Sequence, residues 1–152
     1  DFLVMVCNTA HAWTGDIRAA VAIPFVSIVE VTVEALATTG AGKVGVMAAA
    51  GCLQAGLYQD ALAAAGYEPV LWSDAELEDF MALVYRIKAG ARGAQETGAM
   101  ARLANSLVEA GAEALIAGCT EIPLVLREAP VPLLSSTDLL ALRTVQLAKE
   151  SP

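Results

Sequence analysis

Histidine, cysteine and aromatic residues are scarce in this chain: one His, three Cys and 5% Phe, Trp and Tyr. One histidine with no close Cys/His spacing speaks against a structural or catalytic zinc site, so no metal is expected. The cysteines stand at positions 7, 52 and 119. Odd in number and far apart, they make no disulfide framework, and without a Cys-x-x-Cys spacing they make a poor redox dithiol. Basic residues are also few, nine Lys and Arg against 17 Asp and Glu for a net charge of −8. They are scattered singly, and an acidic chain without a basic stripe is a poor partner for nucleic acid or anionic membrane. No apolar run approaches the roughly 18 residues of a membrane-spanning helix. No basic region followed by an apolar segment and a cleavage site marks a secretory signal, so the chain reads as cytoplasmic.

What is present is apolar. The 152 residues are 57% hydrophobic, enough for one domain or two small lobes with a real core. Apolar runs ending at Gly, Asn or Thr fall at Phe2–Val6, Phe25–Ile28, Val44–Met47, Pro69–Leu71, Ala114–Ala117 and Val131–Leu134. Helical periods lie between them, near Thr14–Ala22, Val29–Thr38, Leu53–Ala65, Ala75–Ala89, Arg92–Ala110 and Thr137–Lys149. Strands apolar on both faces and separated by helices predict an α/β fold with parallel sheet covered on both sides. Gly40, Gly66, Gly90 and Gly111 each follow a helical pattern, where a left-handed C′ residue is wanted. Ser73 or Asp74, and Ser136 or Thr137, are expected to cap the helices that follow them. The small-residue stretch Thr38-Thr39-Gly40-Ala41-Gly42 reads as a boundary between two lobes. Residues 1–40 then form the first, with 123–152 returning to it, and 41–122 form the second. The chain opens directly on a strand pattern with no initiator Met, and is expected to be a fragment with an incomplete first lobe.

Two places carry chemistry. Phe2-Leu3-Val4-Met5-Val6 runs into Cys7-Asn8-Thr9-Ala10-His11, and Ala114-Leu115-Ile116-Ala117-Gly118 runs into Cys119-Thr120-Glu121-Ile122-Pro123. The carboxyl ends of parallel strands face the ligand crevice, and free N–H groups at such turns favour thiolate. Two thiols flanking one carbon suit stereoinversion: one removes a proton from one face while the other delivers a proton to the opposite face. The sulfurs would stand about 6–8 Å apart on that geometry, too far for a disulfide of about 2 Å. The competing reading is that each cysteine is a small buried hydrophobe. Leu77, Phe80, Met81 and Val84 form a helical stripe that Lys88 continues, so its amine either snorkels outward or enters a pocket. His11 reads equally as a proton relay to Cys7 or as a core or cap histidine. Glu121 can orient the second thiol, and a carboxylate there also raises that thiol's pKa.

Both cysteine motifs resemble the signatures of the aspartate/glutamate racemase family. Tyr85-Arg86-Ile87-Lys88-Ala89-Gly90 is similar to a third element of its aspartate-racemase branch, and Lys43-Val44-Gly45-Val46-Met47 with Gly56-Leu57-Tyr58 resembles the start of its second lobe. The resemblance implies two similar α/β lobes around a cleft, a homodimer, no cofactor, and a small amino-acid substrate. It implies that Cys7 and Cys119 work on opposite faces of Cα of aspartate or glutamate. Asn8, Thr9, Ala10 and Thr120 would bind the substrate, with Lys88 on a carboxylate. Cys52 stands after Gly51, where the family has Gly-Thr lining the site, and a thiol cannot reproduce the threonine's strong hydrogen bonds. The chain departs from the family elsewhere too. The Gly-rich first strand and an Arg-containing segment before the first cysteine are missing. In Leu134-Ser135-Ser136-Thr137-Asp138-Leu139-Leu140, Ser135 stands for an acid and Leu140 for a histidine. Decarboxylase and maleate-isomerase relatives reuse parts of the fold, but the two full cysteine motifs and the lysine element argue against them. The alternative is a truncated, non-catalytic protein that at most binds an acidic amino acid.

Overall fold

Alternating side chains on two central strands organise the molecule. The computed structural model describes residues 1–150. Strand β3 (Lys43–Ala48) pairs in parallel with β4 (Glu68–Val70) on one side and β5 (Ala114–Gly118) on the other. Strand β6 (Leu133–Ser135) adds to β5, giving the order β4-β3-β5-β6. A second parallel sheet has two strands, β1 (Leu3–Val4) and β2 (Phe25–Val26), with Leu3 opposite Phe25. The fold is therefore α/β with two parallel sheets, as the apolar runs predicted.

Residues i and i+2 share a face of a strand, so β3 and β5 divide the core cleanly. Val44, Val46, Ala114 and Ile116 face one layer of helices: α2 (Ile28–Ala35), α4 (Leu57–Ala64) and α7 (Ser136–Glu150). Met47, Leu115 and Ala117 face the other, α5 (Asp74–Lys88) and α6 (Ala94–Glu109). Of the remaining helices, α1 (Thr14–Ala20) follows the first cysteine turn and α3 (Ala50–Gln54) follows β3. Within residues 123–150, α7 packs on α2 while β6 extends the four-stranded sheet.

Gly45 faces α6 because nothing larger fits. A Cβ there would lie 2.5 Å from Leu115 Cδ2 and 3.1 Å from the Cβ atoms of both Ala112 and Leu107. Leu115 can rotate, but the other two atoms are fixed to backbone. Gly45→Ala is therefore expected to destabilise the chain by about 1–3 kcal/mol through overpacking, read as a lower thermal unfolding midpoint.

The four glycines expected to end helices all take positive φ, from 71° at Gly40 to 104° at Gly90. Two details differ from expectation. The helix expected over 53–65 is broken into α3 and α4 by Gly56, whose φ is 68°. The Gln59 side chain donates to the Leu53 carbonyl there at 2.7 Å, beside the Gly56 N–H at 3.1 Å. The last helix is capped by Ser135, whose Oγ accepts from the Asp138 N–H at 3.3 Å, and not by Ser136 or Thr137. Ser73 caps α5 as expected, in a reciprocal box with Glu76.

Candidate active site

Both cysteine motifs leave their strands and enter a 3₁₀ turn, Thr9–Trp13 after Cys7 and Ile122–Leu124 after Cys119. In each, the carbonyl of the cysteine is held by the turn. The His11 ring Nδ1 lies 2.8 Å from Cys7 O, and the Ile122 N–H donates to Cys119 O at 3.1 Å. Local hydrogen bonds thus set the backbone that aims each thiol.

His11 is buried, and its other nitrogen, Nε2, accepts from the Ile28 N–H at 3.1 Å at the start of α2. The ring is therefore neutral, with Nδ1–H donating to Cys7 O. Desolvation lowers its pKa below the ordinary imidazole value, in keeping with that state. With both nitrogens engaged, His11 is a cap and core residue, and the relay alternative falls away.

The two thiols sit in unlike surroundings. Cys7 is exposed, whereas Cys119 is 8% exposed against the α5/α6 layer. Burial pushes the Cys119 thiol up to about 12, and Glu121 adds to this by hydrogen bond and charge. Its Sγ–H donates to Glu121 Oε2 at 2.9 Å, and Thr120 Oγ1 donates to the same oxygen at 3.0 Å. The turn N–H groups expected to favour thiolate are outweighed at this position. Burial acts to raise the Glu121 pKa, but the hydrogen bonds from Cys119 and Thr120 together with the Lys88 ammonium outweigh it and hold the carboxyl below its ordinary value. Glu121 is thus the ionised group that fixes the second thiol.

Lys88 lies exposed at the end of α5 and pairs with Glu121. Its side chain is half exposed, and Nζ lies 3.8 Å from Glu121 Oε1. Glu121→Gln keeps a hydrogen-bond acceptor and removes the charge, so Cys119 is expected to become more acidic. The pH midpoint for alkylation of Cys119, followed by peptide mass spectrometry, should move down. Lys88→Met removes a cation that favours this thiolate and should move it up.

Two expected substrate contacts are placed differently from the resemblance. Cys52 has no exposed surface, packs in the α2/α4/α7 core, and has its thiol pushed up to about 12 by burial and then by neighbouring Cys7. It presents nothing to solvent, because the α3 helix turns its side chain inward. Gly51 beside it allows close approach: a Cβ there would lie 3.1 Å from Thr9 Cγ2. Asn8 is buried too, and its side chain ties protein to protein. Oδ1 accepts from the Tyr58 hydroxyl at 2.6 Å, and Nδ2 donates to Ser136 Oγ at 3.2 Å. Thr9, Ala10 and Thr120 remain partly exposed around the cysteines. A groove of about 520 Å³ between α5 and α6, lined by Glu76, Asp79, Arg86, Arg102 and Ser106, includes neither cysteine turn.

Tyr58 and Ser136 were not singled out for the site by sequence. Tyr58 reads as one apolar-face residue of a helix, and the partner of its hydroxyl lies 50 residues away. The available signal was general: a buried tyrosine hydroxyl needs a partner.

The chain is thus a parallel α/β protein in which Cys119 follows β5 directly and is braced by Glu121, while Cys7 stands exposed after β1. The chain matches the Asp/Glu/Hydantoin racemase family over residues 1–144 and belongs to it. It is 30% identical over 139 residues to an uncharacterized protein in the pnlA 3′ region of Pectobacterium carotovorum, covering 88% of this chain and 91% of that one. It is 29% identical over 147 residues to the broad specificity amino-acid racemase RacX of Bacillus subtilis, covering 95% of this chain but 63% of that one. An aspartate racemase homologue from Pyrococcus horikoshii shares the fold with a TM-score of 0.85 at 24% identity, covering 97% of this chain and 66% of that one. The chain thus spans about two thirds of the length of these two, and nearly all of the Pectobacterium protein. Among the described residues no helix is long and apolar enough to cross a membrane.

Proposed function

We propose that the chain racemises aspartate, with glutamate as a substrate variant, by proton transfer between Cα and two thiols. The observation that supports this reading is the unequal pair: Cys119 buried with its S–H on Glu121, Cys7 exposed before the other 3₁₀ turn. A two-base inversion needs one base and one acid at the start of each turnover. Cys119, with its S–H on Glu121, is assigned the acid, and Cys7 the base. Cys7 takes the α-proton, and the S–H bond of Cys119 breaks as its proton passes to the other face of the carbon. The pair is left with exchanged roles, ready for the opposite enantiomer. Thr9, Ala10 and Thr120 border the reacting centre, and Lys88 at its rim offers a cation to a substrate carboxylate. The reaction as written uses no cofactor, and the same reading has the enzyme acting in the cytoplasm as a homodimer.

The test is incubation with L-aspartate and, separately, D-aspartate in deuterated water, following the α-proton by NMR. Loss of the α-proton from both, each yielding the other enantiomer, is expected. Binding of aspartate with no exchange contradicts the proposal and leaves a non-catalytic binding protein.

A further inference from the structure

We infer that Tyr58 is a positioning residue that sets the separation of the two thiols, an inference that rests on the racemase reading for its purpose. Tyr58 is fully buried in α4. Its hydroxyl donates to Asn8 Oδ1 at 2.6 Å, one residue beyond Cys7. Its ring lies against Gly118, one residue before Cys119: a Cβ at that position would be 2.9 Å from Tyr58 Cε2. A single rigid side chain therefore touches both cysteine turns.

A second path closes the frame. Asn8 Nδ2 donates to Ser136 Oγ at 3.2 Å, and Ser136 Oγ–H donates to the Ala117 carbonyl at 2.9 Å, again at the end of β5. Asn8 is thus tied to the β5 terminus twice, once through an aromatic ring and once through a hydroxyl at the start of α7. All three side chains are buried, so water does not compete for these bonds. Burial also holds the Tyr58 phenol above its ordinary pKa, keeping it a donor. A strut of this kind matters to a reaction in which two groups must straddle one carbon, since a misplacement of about 1 Å costs about 10²-fold in rate.

A tyrosine that merely fills the core would lower stability when altered and leave the thiols where they are. The deciding variants are Tyr58→Phe, which keeps the ring and removes the hydroxyl, Ser136→Ala, and the double variant. Two readouts are taken beside the thermal midpoint. One is kcat and KM for aspartate racemisation. The other is the yield of Cys7–Cys119 peptides bridged by dibromobimane, which needs no turnover. Tyr58→Phe is expected to lower kcat about 10-fold or more with KM changed about twofold or less, and to lower the bridging yield. Ser136→Ala should act in the same direction. The double variant should lose no more than the worse single one, because the two act through one frame. Unchanged kcat and bridging in Tyr58→Phe, no bridged peptide in the unaltered chain, or losses that add independently and follow the thermal midpoint would overturn the inference. An unaltered chain that bridges in a Tyr58-dependent way but exchanges no α-proton would support the strut and end the racemase reading.

Discussion

Serine in place of either Cys7 or Cys119 is expected to lower α-proton exchange by about 10²–10⁴-fold, the range for losing a positioned acid or base. A hydroxyl is a much weaker acid than a thiol, and neither turn supplies a group that would compensate. His11, the one imidazole, has both nitrogens committed to Cys7 O and Ile28 N. Glu121 faces the Cys119 sulfur and is held ionised. The two variants should differ in stability. Cys7 is exposed, so its loss should change the unfolding free energy by less than about 0.5 kcal/mol. Cys119→Ser replaces a thiol packed against apolar residues and should cost more. Rates and unfolding midpoints measured together on both proteins check this, and retained exchange in either one removes the thiol concerned from the mechanism.

Gly118→Ala carries the second large effect. The added methyl would meet Tyr58 Cε2 at 2.9 Å, Ala48 Cβ at 3.3 Å and the Met47 carbonyl at 3.3 Å. Two of these belong to or sit on the β3 backbone, and the ring has no room to withdraw because Tyr58 is fully buried. Overpacking should cost about 1–3 kcal/mol, a fall of about 2–4 °C in Tm per kcal/mol for a chain of this size. The displaced ring would pull on Asn8 and move Cys7 relative to Cys119, so exchange should fall by about 10²-fold. Gly45→Ala provides the control, since it crowds the other face of β3 with comparable severity and touches neither turn. If the two alanine variants lose activity equally, the Gly118 effect is one of stability alone.

Much of the architecture was legible in the sequence because it depends on local physics. Strands apolar on both faces can only sit inside a covered parallel sheet, and Val44, Met47, Ala114 and Ile116 do so. Glycine after a helical period marks a left-handed C′ position, and Gly40, Gly66, Gly90 and Gly111 occupy it. Gly56 carried the same signal inside a run that otherwise kept helical period, and there the break prevailed over the pattern. The thiol–carboxylate contact was also readable, since Cys119 and Glu121 are two residues apart at one turn. The rest of the site depends on long-range packing, which periodicity does not encode. Asn8, read as a substrate ligand, spends its side chain on Tyr58 and Ser136, 50 and 128 residues away. Cys52, read at the substrate, is turned inward by a short helix that the sequence pattern had merged with the next. Lys88, read as continuing the buried stripe of its helix, lies exposed and pairs with Glu121 from another element.

The most direct test of the two-thiol account is where deuterium appears during the first few per cent of turnover in deuterated water. If one sulfur removes the proton and the opposite one supplies its replacement, newly formed D-aspartate carries deuterium at Cα while the remaining L-aspartate keeps its protium. Protium carried through into the product, or deuterium appearing equally in both enantiomers, would mean that a single group works on both faces, and the account would be wrong.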